Sequence, residues 1–238
     1  MRFGLVCEGA TDFITVANFL SKALSDRGVS ADFIDLQPGL DKTSEMNCGW
    51  SNALLWLKNN NLKQRQVSIL GRGLFSGRLA SKKCDAIIIS LDSDCAADEG
   101  FLNFCKKHAE EIPEGLSHID TVKRAIVNFS ELSLEGAKAE KHVICAALHN
   151  SESWCVGVLP DDPERQVEQI PIEETNALLL AALSALPNAV LVDEGRRIKD
   201  RALRNDFCQA NLGKIDHLIR RSGSFNQMLD DAREIAVA

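Results

Sequence analysis

The chain is 238 residues long, with 27 Lys+Arg against 34 Asp+Glu, a formal net charge of −7 and 45% hydrophobic residues. That balance suits a folded chain with a sizeable core and argues against a protein that coats nucleic acid nonspecifically. No stretch is apolar for long enough to cross a bilayer. The N-terminus, Arg2-Phe3-Gly4-Leu5-Val6-Cys7 running straight into Glu8, does not read as a signal peptide, so a cytoplasmic protein without membrane contact is expected.

Residues 2–7 read as a first strand. A helix is predicted from about Thr11 to Asp26, because Phe13, Val16, Ala17, Leu20 and Leu24 recur at helical spacing; Thr11 is its candidate N-cap and Arg27-Gly28 its stop. Val29 to Leu36 alternates and predicts a second strand, so the chain opens βαβ and implies a parallel sheet. After a polar loop from Gln37 to Gly49 come a short helix over 50–60, a short strand over 67–70, and a helix opened by Gly71-Arg72-Gly73 that runs to about Ser81.

Asp85-Ala86-Ile87-Ile88-Ile89-Ser90-Leu91 is the clearest strand. Three consecutive isoleucines are stiff at χ1 and apolar on both faces, as a central parallel strand requires. Helices are predicted over about 101–111 and 118–139, and a further apolar strand over 143–148. Residues 159–171 read as a Pro- and Asp-rich connector. Beyond it lie helices over about 174–186, 196–208, 214–221 and 225–235. The expected class is therefore α/β, a parallel sheet flanked by helices over 1–158, with a mainly helical extension over 159–238 packed on that core.

Two carboxylates at i and i+2, Asp92 and Asp94, close the isoleucine strand. Ligands of open α/β sheets bind at the carboxyl ends of the strands, and clustered carboxylates gain little there without a cation. Glu8-Gly9 ends the first strand on the same edge, so the sequence offers three carboxylates to a hard divalent ion such as Mg²⁺ or Mn²⁺. The bland reading of Glu8 is an ordinary strand-to-helix turn. The five histidines form no zinc pattern, His149 being the one nearest the other candidates. The eight cysteines include no C-x-x-C pair and read as small core residues. The basic residues Arg72, Arg78, Arg196, Arg197, Lys199 and Arg201 could contact substrate phosphates, and apart from Arg72 and Lys199 each reads more simply as part of a solvated helix face.

Glu8-Gly9-Ala10-Thr11-Asp12 after the first strand, with Asp92-Ser93-Asp94 after a later one, resembles the Toprim domain of topoisomerases, primases and OLD-type nucleases. Gly71-Arg72-Gly73-Leu74, Glu152-x-Trp154 and the segment Ser224–Leu229 extend the resemblance to small Toprim-only nucleases of PARIS-type phage-defence systems. The resemblance implies a Toprim-like core with Mg²⁺ held by Glu8, Asp92 and Asp94. It also implies Glu152 as a fourth carboxylate, either a second-metal ligand or a base, and Lys199 near the scissile phosphate. An ATPase sensor partner and a nucleic-acid substrate, DNA or RNA including host tRNA, follow from the same likeness; a homodimer is compatible with it. The chain contains no tyrosine, so a phosphotyrosine intermediate cannot form on it and hydrolysis of a phosphodiester is the expected chemistry. Two other readings stand beside this one: a noncatalytic Toprim-fold regulatory subunit, and a phosphatase of small phosphate esters using the same metal site.

Overall fold

The structure, a computed structural model, describes residues 1–39, 48–71, 83–159 and 165–238. Four strands, β1 (Arg2–Val6), β2 (Asp32–Gln37), β3 (Ala86–Asp92) and β4 (His142–Ala147), form one sheet in the order β2-β1-β3-β4. All three pairings are parallel; Val6 lies opposite Ile89, and Asp92 opposite Ala147. The α/β class and the parallel sheet expected from the sequence are both present.

The pleat sends alternate side chains of β3 to opposite faces, and each face has its own core. Ile88 joins Phe3, Leu5, Val143 and Cys145 beneath α1 (Ala10–Ser25), through Val16, Phe19 and Leu20. Ile87, Ile89 and Leu91 pack against α2 (Trp50–Asn59), α4 (Glu99–His108) and α5 (His118–Ser130). With no exposed surface on any of the three isoleucines, each contributes about 1.5–3 kcal/mol of apolar burial.

The C-terminal helices α7 (Ile172–Ser184), α8 (Arg201–Asn211), α9 (Ile215–Arg221) and α10 (Gly223–Val237) belong to the first of these cores. Leu179, Leu203, Phe207, Leu218, Phe225 and Leu229 lie in one apolar cluster with Phe3 and Ile88. Trp154, in α6 (Ser151–Gly157), packs into this layer: its ring lies edge-on to Phe225 at 5.7 Å, and its Nε1 donates to Ser224 Oγ at 3.1 Å. The segment expected as an extension thus shares its core with the sheet.

Several local expectations need correction. The segment expected as a strand over 67–70 is π-helical over Arg65–Ile69, following a single turn, α3 (Leu62–Gln64). A capping box between Asn61 and Gln64 starts that turn, and the buried Arg65 holds it by donating to the carbonyls of Leu57, Asn60 and Ser130 and to His142 Nε2. The helix expected to run to Ala139 stops at Ser130, because Glu131 adopts a left-handed conformation at φ 59°. The helix expected over 196–208 is two elements: a 3-10 turn over Glu194–Lys199, then α8, restarted where Asp200 caps the Leu203 N–H at 2.9 Å. Gly9 rather than Thr11 occupies the N-cap position of α1. The helix expected after Gly71, with Arg72 and Arg78, lies outside the described residues.

No helix of the described residues is long and apolar enough to cross a membrane. Seven of the eight cysteines are buried, as small core residues, and Cys48 is exposed.

Candidate functional site

The strand order places the site. From β1 the chain crosses to β2 on one side, and the next strand, β3, lies on the other side of β1. The carboxyl ends of β1 and β3 therefore flank the point where the order reverses, and such a crevice is where open α/β sheets take ligands. Glu8 follows β1 and Asp92 ends β3. The two are joined directly: Glu8 Oε1 accepts the Asp92 backbone N–H at 2.8 Å.

Asp12 enters this crevice from the first turn of α1. Gly9 makes room for it, since a Cβ on Gly9 would come within 3.1 Å of Asp12 Oδ2. The turn after β4 closes the third side. Asp94 N–H donates to the His149 carbonyl at 3.1 Å, and His149 N–H donates to Ser93 Oγ at 2.9 Å. His149 takes a left-handed φ of 62° to make this turn, and Asn150 then caps α6 by accepting the Ser153 N–H. The first residue of α6 bridges two carboxylates: Ser151 N–H donates to Asp92 Oδ1 at 3.1 Å, and Ser151 Oγ donates to Asp12 Oδ1 at 2.6 Å.

Glu152 comes next along α6 and is 2% exposed. Its Oε1 accepts from Lys199 Nζ and from Arg204 Nη2, both at 3.0 Å. Its Oε2 has no hydrogen-bond partner among the described residues. Lys199 reaches in from a side chain that is 72% exposed, whereas Arg204 on α8 is fully buried.

One carboxylate oxygen each from Asp12, Asp92 and Glu152 lie within 4.8 Å of one another. This is not the trio expected from the sequence. Asp92 belongs to both sets, Glu152 was the expected fourth carboxylate, and Glu8 lies beside Asp92 through its bond to the Asp92 N–H. Asp12 was the missed residue. It stood in the quoted run Glu8–Asp12, yet an acidic group in the first turn of a helix reads equally well as a partner for the helix dipole. Lys199 lines the cleft and contacts Glu152, and His149 contributes its backbone.

The electrostatics are those of a site short of positive charge. Burial pushes Asp92 well above the ordinary carboxylate range, and Asp12, Glu8, Glu152 and Asp94 push it further. Burial likewise raises Glu8 to about 8, against the lowering effect of the Asp92 N–H. Asp12 and Asp94 are raised by burial and by Glu152. Burial alone would raise Glu152 too, but Arg204 and then Lys199 outweigh it and hold that carboxyl at about 2. Five carboxylates thus face two cations in direct contact, Lys199 and Arg204, with Arg201 at the rim of the same cleft.

The cleft has a volume of about 430 Å³ and is walled by Glu8–Asp12, Cys48, Gly49, Asp92, Lys199 and Arg201. A hollow of about 520 Å³ at the opposite, amino-terminal edge of the sheet is lined by Met1, Arg2, Asp32 and Asp85 among others. There Asp85 Oδ2 accepts the Arg2 N–H at 2.7 Å, which ties β3 to β1, and no group of carboxylates converges among the described residues.

The donor set fits a hard divalent cation on two grounds. Every donor is a carboxylate oxygen, the chemistry that Mg²⁺, Mn²⁺ and Ca²⁺ select. And a buried, ionised carboxylate with an unpartnered oxygen is costly unless something positive meets it. The fold and the site together define an α/β protein with a cation-competent acidic cluster at the switch point of a parallel sheet. No protein-family model, no curated protein and no solved structure matches this chain.

Proposed function

We propose that this chain is a divalent-cation-dependent phosphodiester hydrolase, a nuclease with a Toprim-like core. The observation that carries the reading is the convergence of Asp12, Asp92 and Glu152 within 4.8 Å, with Glu8 beside Asp92 and all of them at the carboxyl edge of the sheet. Asp12, Asp92 and Glu152 would hold the ion, which supplies charge neutralisation on a scissile phosphate and a more acidic bound water. Glu8 and Asp94 add negative charge that raises affinity for a divalent over a monovalent cation. Ser151 keeps Asp12 and Asp92 at a fixed separation through its N–H and Oγ. Lys199, exposed along its stem and anchored only at its ammonium, stands at the mouth where a phosphate oxygen would enter. The absence of tyrosine supports hydrolysis over strand passage through a phosphotyrosine.

The test is an endonuclease assay on plasmid DNA, single-stranded RNA and tRNA in Mg²⁺ and in Mn²⁺, with p-nitrophenyl phosphate as the small ester. The wild-type chain is expected to cleave a polynucleotide. Asp92→Asn and Asp12→Asn are expected to lose at least about 100-fold while remaining folded, because each removes a charge from the ion's own shell. Turnover of the small ester alone would move the reading to a phosphatase. Equal activity in wild type and both variants would exclude the acidic cluster as the reactive site.

A further inference from the structure

The C-terminal segment reaches the acidic cluster through Lys199 and Arg204, and the Arg204 contact is costly enough to require a reason. Arg204 sits on α8 with no exposed surface. A buried guanidinium is expensive to desolvate, and a well-packed apolar side chain at such a position is often as stable or more so. Arg204 nonetheless occupies it and spreads its donors over three elements. Nη1 donates to Thr15 Oγ1 on α1 at 3.0 Å. Nη2 donates to Glu152 Oε1 on α6 at 3.0 Å and to the Ile198 carbonyl, next to Lys199, at 2.9 Å. The Thr15 hydroxyl is itself fixed, since it donates to the Thr11 carbonyl at 2.9 Å.

We infer that Arg204 is a positioning residue for the cluster: it holds Glu152 by one oxygen and leaves the other open toward a cation. The inference rests on the cation-binding reading above. Glu152 Oε1 is taken twice, by Lys199 and by Arg204, and Oε2 not at all. Of the two cations, only Arg204 can fix the carboxylate's direction. The lysine is a flexible, largely exposed point charge, whereas the guanidinium is a planar fork clamped on three sides. By holding the Ile198 carbonyl, the same fork also fixes the backbone from which Lys199 departs. The C-terminal layer then contributes to the site itself as well as covering the sheet.

Groups that orient a metal's ligands typically cost 10–100-fold in metal affinity when removed, and that range sets the expected effect. The experiment is calorimetric titration of Mn²⁺ into the full chain as wild type, Arg204→Lys, Arg204→Met, Glu152→Gln and the Glu152→Gln/Arg204→Met double variant. Circular dichroism confirms folding of each. Arg204→Met is expected to bind about 10–100-fold more weakly, Arg204→Lys to fall between it and wild type, and the double variant to bind no more weakly than Glu152→Gln alone. A merely structural arginine would give neither the lysine rescue nor the loss of effect in the Glu152→Gln background. Should Arg204→Met not fold, Thr15→Val removes one anchor of the fork and is expected to weaken Mn²⁺ several-fold. Wild-type affinity in a folded Arg204→Met or Thr15→Val, or additive losses in the double variant, would overturn the inference while leaving the cation reading intact. Failure of the wild type to bind Mn²⁺ would overturn both.

Discussion

Replacing Asp92 by Asn should stabilise the cation-free protein and abolish its response to cations. The amide keeps the Oδ1 acceptor that meets the Ser151 N–H at 3.1 Å, and changes neither the volume nor the strand. What it removes is a charge surrounded by Asp12, Glu8, Glu152 and Asp94. Two like charges 4.8 Å apart, the outer bound of the three-carboxylate cluster, repel by about 3 kcal/mol at an effective dielectric constant of 20. Part of that is already relieved in the wild type by retained protons, so a net gain of about 2 kcal/mol is expected. For a chain of this length that is a rise of roughly 4–8 °C in the unfolding midpoint without added metal. Saturating Mg²⁺ at about 100 times its dissociation constant should stabilise the wild type by about 2.7 kcal/mol, and Asp92→Asn hardly at all. Differential scanning fluorimetry in EDTA and in a Mg²⁺ series reads both effects. A midpoint lowered by the substitution in EDTA, or a Mg²⁺ response preserved in the variant, would refute the view that these carboxylates are held together for a cation.

Other outcomes follow from the structure. Glu8, raised from 4.5 to about 8, favours the protonated form in the fold, so its contribution is fully present below its unfolded value and is lost as pH rises through 8. The EDTA-treated wild type should therefore lose midpoint between about pH 5 and about pH 9, and Mg²⁺ should restore it; a flat alkaline limb in EDTA would contradict this. Glu152, held at about 2, has the opposite sign: its contribution is present above 4.5 and is lost as pH falls toward 2. Glu152→Ala leaves the buried Arg204 without its carboxylate and should cost about 3–5 kcal/mol in urea unfolding; a loss below about 1 kcal/mol would show that the pair is not needed for the fold. Gly157→Ala would bring a Cβ within 2.6 Å of Leu218 Cδ1 and 3.4 Å of its Cα, and should cost about 1–3 kcal/mol by pushing α6 from α9. A neutral result there would mean that the Leu218 side chain gives way without moving α9.

What the sequence showed depended on whether one residue's neighbours along the chain were also its neighbours in space. β3 was legible because three isoleucines in a row have one comfortable setting, a strand with a core on each face. Its ending at Asp92, and the position of Glu8 on the same edge, followed from parallel topology alone. Asp12 was not separable from an ordinary first-turn acid, because its partner is Ser151, 139 residues away. Arg204 lay hidden for a related reason. Its stretch, 196–204, reads as a run of basic residues on a solvated helix, and Arg196 and Arg201 are indeed exposed. Only the packing of α8 against α1 turns the fourth arginine inward. The turn at 65–69 failed for the opposite reason, since Val67–Leu70 has strand-like side chains but a single buried arginine fixes its backbone otherwise.

The geometry also bears on why a cluster of carboxylates should contain one arginine at its base. Asp12, Asp92, Asp94 and Glu8 are all raised by burial and by neighbouring carboxylates, so without a cation each holds a proton more tightly than a free carboxylate does. A site whose every ligand is protonated must release protons before it can bind an ion, and its affinity falls accordingly. Glu152 is the exception, ionised because Arg204 and Lys199 outweigh its burial. It therefore presents a charged oxygen before any ion arrives, and an arriving ion lowers the others in turn. Arg204 can do this without occupying the cation's place, because its fork approaches Glu152 from the α8 side and is clamped there by Thr15 and Ile198. On this argument the C-terminal segment supplies, through Arg204 and Lys199, the positive charge that keeps one carboxylate of the sheet edge ionised.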